Sequence, residues 1–154
     1  IVNILLKSIV LFFFLTNISN ADLIKPNSTL QPIEVLKIQL NSLKNNNVPY
    51  RDAGIEQTWE FAHPINKEST GPLKRFKKII YSNSYKILIN HENTKIIILK
   101  ESTNKFVYKV YVLSKDKEKY YYIWQIEKVN REGDFKDCWM TTGVSDPIYL
   151  GEVI

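Results

Sequence analysis

From Pro32 onward, the first rhythm in the chain has the period of a helix. Ile33, Leu36, Leu40 and Leu43 recur on one side, with Lys37, Asn41 and Lys44 opposite. Pro32 suits the first turn of such a helix. The run Asn45, Asn46, Asn47 ends it, because Asn tolerates the left-handed backbone of a helix stop. Val48 to Arg51 reads as an extended link. A second helix is expected after a cap at Asp52, with Ile55, Trp59 and Ala62 on its apolar side and Pro64 at its end. A third opens at Thr70 or Gly71, with Pro72 in the first helical position. Leu73, Phe76, Ile79 and Ile80 form its apolar face; Lys74, Arg75, Lys77 and Lys78 form a solvated one.

After Ser84 the period shortens to two. Ile96 to Leu99 is a short strand-like run. Phe106, Tyr108, Val110 and Val112 alternate with Val107, Lys109, Tyr111 and Leu113. Lys115 to Glu118 is a charged turn, after which Tyr120, Tyr122, Trp124 and Ile126 alternate with Tyr121, Ile123, Gln125 and Glu127. A turn at Asn130 to Gly133 precedes a last strand, in which Phe135, Asp137, Trp139 and Thr141 alternate with Cys138 and Met140. Enrichment in β-branched and aromatic residues supports strands throughout. Helices followed by an antiparallel meander make an α+β domain: three N-terminal helices packed on a curved sheet of about four strands. Leu36, Leu40, Trp59, Phe76, Ile80, Val110, Trp124 and Trp139 are its expected core.

Residues 1–21 follow neither rhythm. Lys7 precedes the apolar run Ile9 to Leu15, and Ser19 and Ala21 place small side chains before Asp22. That order reads as a secretory signal peptide cleaved after Ala21, with a retained N-terminal anchor as the alternative. The apolar run falls short of the roughly 20 residues that span a bilayer. Residues 22–31, polar and bounded by Pro26 and Pro32, read as a linker, and residues 32–154 as one domain. The expected location is exported, periplasmic or otherwise extracytoplasmic. Membrane contact is expected only through an uncleaved signal.

Composition narrows the chemistry. The 154 residues carry a net charge of +5 with a pI near 9.2. A basic balance is a weak hint of nucleic acid or an anionic surface. The chain has 18 lysines against 3 arginines and 20 isoleucines against 3 alanines, the bias of an A+T-rich genome, so the charge is discounted. With export, nucleic acid is not an expected partner. One cysteine excludes an internal disulfide framework or thiolate cluster, and two histidines offer little to a metal. No metal or cofactor is expected.

Candidate catalytic groups are sparse. Glu60 lies three residues before His63, a spacing that puts both on one helix face and lets a carboxylate orient an imidazole. Against this stands a helix-end histidine with a backbone partner. His91 reads as a loop residue. Cys138 lacks a local base and reads as buried. Asn27-Ser28-Thr29 matches a glycosylation acceptor. No catalytic residue is assigned.

Three blocks carry more information than any single motif: Asp52-Ala53-Gly54-Ile55, Phe61-Ala62-His63-Pro64-Ile65-Asn66-Lys67, and Thr70-Gly71-Pro72-Leu73-Lys74-Arg75-Phe76. With Gln39-Leu40 before them and Cys138-Trp139-Met140-Thr141 after, they resemble an uncharacterised family of bacterial and plastid-type proteins. The resemblance spans about residues 32–144, and His63 stands where that family usually has Ser. It implies a cystatin- or nuclear-transport-factor-like cone, a fold that hosts enzymes, ligand binders and interaction modules alike.

The function expected from these readings is a non-catalytic module binding a small apolar ligand or a protein. Its ligand wall is assigned to Trp59, Tyr108, Tyr122, Trp124 and Trp139, with Asn66 and Arg75 as polar contacts. The alternatives are a small hydrolase or isomerase using Glu60, Asp137 or His63 in a cavity, and a structural envelope protein acting through its surface. The signal reading has a direct check. N-terminal sequencing of protein from the envelope fraction should begin at Asp22; a chain starting before residue 10, or recovered only from cytosol, overturns it.

Overall fold

The computed structural model describes residues 22–153. The expected signal segment, residues 1–21, lies outside them. Among the described residues, no helix is long and apolar enough to cross a membrane.

Helix α1 spans Pro32–Lys44. Pro32 occupies its first turn, and the Glu34 carboxylate accepts the Gln31 N–H at 2.7 Å, satisfying a donor that the helix start leaves free. Val35, Leu36, Leu40 and Leu43 are fully buried, so the expected stripe is real and one residue wider than its spacing suggests. The chain then turns rather than extending through residues 45–52, with a cis peptide at Val48–Pro49. Helix α2 spans Ala53–Glu60. Asp52 precedes it as expected, but its side chain does not cap the helix. Asp52 adopts a left-handed φ of 65° and turns its carboxylate to the Tyr81 hydroxyl and Lys77. The capping is done by buried Asn46, whose Oδ1 accepts from the Ile55 N–H at 3.0 Å and whose carbonyl accepts from Gly54 at 2.9 Å.

Among the described residues there are four α-helices rather than the expected three. Pro64 begins a helix instead of ending one: α3 spans Pro64–Thr70. None of its residues is fully buried, so it shows no apolar period to read. Helix α4 spans Leu73–Ile80, with Phe76 and Ile80 buried, and a 3-10 turn follows at Lys86–Leu88.

Among the described residues the sheet is antiparallel throughout and has five strands. These are β1 (Asn93–Glu101), β2 (Lys105–Leu113), β3 (Glu118–Lys128), β4 (Trp139–Val144) and β5 (Ile148–Glu152). Strands β1, β2, β3 and β4 are neighbours in that order, and β5 also pairs with β3. Along β3, β4 pairs with Trp124 to Lys128 and β5 with Glu118 to Tyr121. They are one edge interrupted at Ser145–Pro147. Two expectations are corrected here. Phe135 and Asp137 lie in a loop before β4, and β5 was not expected because Pro147 and Gly151 disguise it.

One sheet face receives the helices. Tyr108, Val110 and Val112 of β2 and Tyr122, Trp124 and Ile126 of β3 are buried in a single cluster with the α1 stripe, Phe76 and Ile80. All eight expected core residues join it, Trp59 from its half-buried margin. Burying each large side chain stabilises by about 1.5–3 kcal/mol.

Gly54 sets how closely the first two helices approach. A Cβ there would lie 2.0 Å from the Ser42 carbonyl oxygen and 2.8 Å from the Asn46 Cα. Both are backbone and neither can rotate away. Gly54→Ala should therefore cost about 3 kcal/mol or more by forcing the helices apart. Gly143→Ala meets nothing within 4 Å and should change stability by less than about 0.5 kcal/mol. Thermal denaturation of the two variants checks this, and equal melting points would refute the close-approach reading.

Candidate functional site

The helix layer meets the sheet through a short chain of buried polar groups. Gln39 faces inward from α1, three residues after Leu36 and four before Leu43, a position the stripe reserves for an apolar side chain. Its Nε2 donates to the Thr58 carbonyl of α2 at 3.1 Å. Its Oε1 accepts from the Thr141 hydroxyl of β4 at 2.6 Å. That hydroxyl in turn accepts from the Trp124 indole N–H of β3 at 3.1 Å. Each link polarises the next, so the chain is stronger than its separate bonds.

The Thr141 backbone extends the junction. Its N–H donates to the Phe61 carbonyl at 2.8 Å, and its carbonyl accepts from the His63 N–H at 2.8 Å and the Asn66 side-chain amide at 3.2 Å. The segment between α2 and α3 is thereby paired to the β4 edge, with a parallel bridge at Ala62 and Thr141. Among the described residues, no buried side-chain nitrogen or oxygen lacks a partner.

A cavity of about 160 Å³ lies against this junction. Gln39, Leu43, Thr58 and Ala62 line it from α1 and the end of α2. Asn66, Thr70, Phe76, Ile79 and Ile80 line it from α3 and α4. Trp124, Thr141 and Val144 close the sheet side, with Tyr85 and Leu88 beyond α4. The lining is mostly apolar and holds no Asp, Glu, His, Lys or Arg. Its polar groups are amides, hydroxyls and one phenol. Burial raises the Tyr85 phenol above its ordinary value, so it stays neutral; its hydroxyl donates to the Val144 carbonyl at 2.9 Å. The cavity can hold an uncharged molecule by area and shape, and its one titratable group, the Tyr85 phenol, is engaged with the Val144 carbonyl.

Of the expected ligand wall, Trp124 and Asn66 line this cavity. The other five stand elsewhere. Trp59 packs on Phe76 at 5.0 Å with the Lys67 ammonium over its ring at 5.1 Å. Tyr108 is buried beside Phe106, and desolvation pushes its phenol up to about 12. Tyr122 is buried, donates to the Ser84 carbonyl at 2.7 Å and stacks on Tyr85. Trp139 sets its edge against Phe106 at 5.3 Å under the Lys128 ammonium. Arg75 is exposed on α4. The residues missed are Gln39, Thr58, Thr70, Tyr85 and Thr141. Gln39 alone carried a signal, as a polar residue inside an apolar stripe.

The candidate catalytic groups do not converge. Glu60 pairs with Lys25 at 2.9 Å at the surface. Asp137 is exposed in a turn at φ 62°. His63 is buried and caps α3, its Nδ1 accepting the Ile65 N–H at 3.2 Å. His91 lies outside helix and strand but is buried, with Nδ1 at 2.7 Å from the Leu88 carbonyl. Cys138 is buried, and burial raises its thiol above the ordinary range. Among the described residues, no cluster of three metal-ligating side chains occurs. Compared with protein-family models, curated proteins and solved structures, the chain has no match in any of the three.

Desolvation holds both imidazoles below the ordinary histidine value. An unfolded chain takes up protons on these imidazoles at about pH 6.5, whereas the folded one does so only at lower pH. Stability must therefore fall as the pH drops from about 6.5 towards the folded values. His63→Asn keeps a capping acceptor and should remove the His63 share of that acid slope, changing stability at neutral pH by about 1 kcal/mol or less. Urea denaturation across the acid range checks it; an unchanged slope would mean that His63 titrates normally in the fold.

Proposed function

We propose that the protein is a non-catalytic binding module whose helix–sheet cavity takes a small, uncharged, largely apolar ligand. The observation carrying this reading is the lining itself: a cavity of about 160 Å³ with apolar walls and neutral polar groups already bonded to one another. A cavity of that order, lined by apolar side chains, holds a benzene-sized molecule. Hydrolysis or isomerisation by the candidate groups would need one of them in contact with the substrate, and the Tyr85 phenol in the lining already donates to the Val144 carbonyl. Glu60, Asp137 and His63 all stand outside the lining.

The resemblance to the uncharacterised bacterial and plastid-type family, with its cone fold, belongs to this proposal. Its blocks have physical roles in this chain. Gly54 permits the close helix approach, and residue 63 is the N-cap of α3, a place that Ser fills as well as His. Gly71 takes a φ of 78°, and Asn66, Thr70 and Phe76 line the cavity. Export to an extracytoplasmic space is part of the same proposal and rests on residues 1–21.

The test is ligand-induced stabilisation. Benzene, toluene and indole should raise the melting temperature of the wild-type chain, by an amount equivalent to about 2.7 kcal/mol at a hundred times the dissociation constant. Thr70→Phe places a ring at the half-buried rim and should abolish the shift without unfolding the protein. If none of the three ligands stabilises the wild type, the cavity reading fails and a surface role takes its place.

A further inference from the structure

We propose that the sheet face turned away from the helices seats the protein on a bilayer containing anionic lipids. Lys95, Lys109 and Lys119 would meet the lipid phosphates, while Ile97, Ile148 and Leu150 enter the interfacial zone.

The strand register assembles this face. Lys95, Tyr111, Tyr121 and Ile148 form one cross-strand row. Ile97, Lys109 and Ile123 form the next. Leu113 and Lys119 lie in the row on the other side. These positions alternate with the buried Tyr108, Val110, Val112, Tyr122 and Trp124, so they point away from the helices. Among the described residues, Lys95, Lys109 and Lys119 carry no ion pair. The carboxylate that shares the outward alternation of β3 is Glu127, at the far end of the strand, and Lys105 holds it at 2.8 Å. The middle of the face is therefore cationic and uncompensated.

Its apolar part is equally specific. Ile97 is 38% exposed, and Ile148 and Leu150 are each 48% exposed. Lys95, Ile97, Tyr111, Leu113, Lys119 and Leu150 surround a shallow recess of about 390 Å³ with no acidic group. The Tyr111 and Tyr121 rings lie 6.0 Å apart, and the Lys109 ammonium sits 4.6 Å from the Tyr121 ring centre. A nucleic acid would use the lysines and tyrosines but leave the exposed aliphatic side chains against water. A bilayer interface uses all three kinds: lysine at the phosphates, tyrosine at the headgroup level, aliphatic groups below. Charge complementarity chooses anionic lipid, since each lysine near such a surface strengthens binding about fivefold.

The experiment is co-sedimentation of the full chain with vesicles. One set contains equal parts phosphatidylcholine and phosphatidylglycerol, and the other phosphatidylcholine alone. The wild type should prefer the anionic set, and added salt should weaken that preference. The triple variant K95Q/K109Q/K119Q should lose about 100-fold in anionic-vesicle binding. K74Q/R75Q/K78Q, which removes cations from the exposed face of α4, should bind as the wild type does. The apolar N-terminal segment is common to every variant and cancels in the comparison. Circular dichroism verifies that each variant folds. Equal binding to both vesicle sets overturns the proposal. So does loss of binding in the α4 variant rather than the sheet variant, or displacement of the protein from anionic vesicles by a single-stranded oligonucleotide. None of these outcomes depends on the helix–sheet cavity being occupied.

Discussion

The Thr141 hydroxyl is where the two layers of this protein are joined. It receives the Trp124 indole N–H and gives its own proton to Gln39, while the backbone of the same residue pairs with Phe61 and His63. Helix α1, strand β3 and the link between α2 and α3 thus meet at one residue of a six-residue strand. An apolar interface alone is tolerant of sliding, because contact energy depends weakly on direction. Polar groups that must all find partners out of water are not tolerant. A shift of α1 by one turn would leave the Gln39 amide, the Thr141 hydroxyl proton and the Thr58 carbonyl with unmet hydrogen bonds, each costing about 1–3 kcal/mol. The register of helices on sheet, and with it the cavity, follows from that constraint.

Much of the architecture was legible because it rests on period. The α1 stripe, the α4 face and the alternation of β2 and β3 each repeat long enough to be read, and all eight expected core residues fall in the cluster, although the spacing does not mark Val35 and Ile33 is only half-buried. What escaped was structure held by single contacts. Helix α3 has no buried face and is defined by Pro64 and the His63 cap. Strand β5 is short and follows a proline. Asn46, fully buried, looked like one of three interchangeable asparagines at a helix stop. Its role as cap of the next helix depends on a fold-back that sequence spacing does not announce.

The site was less legible than the fold for a related reason. Size marks out the aromatic residues, yet Tyr108 and Tyr122 are buried packing outside the cavity lining, and the Tyr122 hydroxyl donates to the Ser84 carbonyl instead. The cavity is instead shaped by small and medium residues, Thr58, Ala62, Thr70 and Thr141, which leave space rather than fill it. A gap between elements is a property of their spacing, so no local motif records it.

Strand β1 has a further implication for behaviour in solution. It stands at the end of the strand order, with Ile97, Ile98 and Leu99 exposed in succession. Such an edge offers unpaired backbone groups and apolar side chains to any other strand, the usual start of intermolecular sheet growth. Two features oppose that growth. The pairing register shifts between Ile98 and Lys100, so Leu99 interrupts a flat template. Lys95 and Lys100 flank the aliphatic run, and a second strand laid along it would bring like charges together. The lysines at this edge thus also act as gatekeepers that keep the folded chains apart when they are crowded.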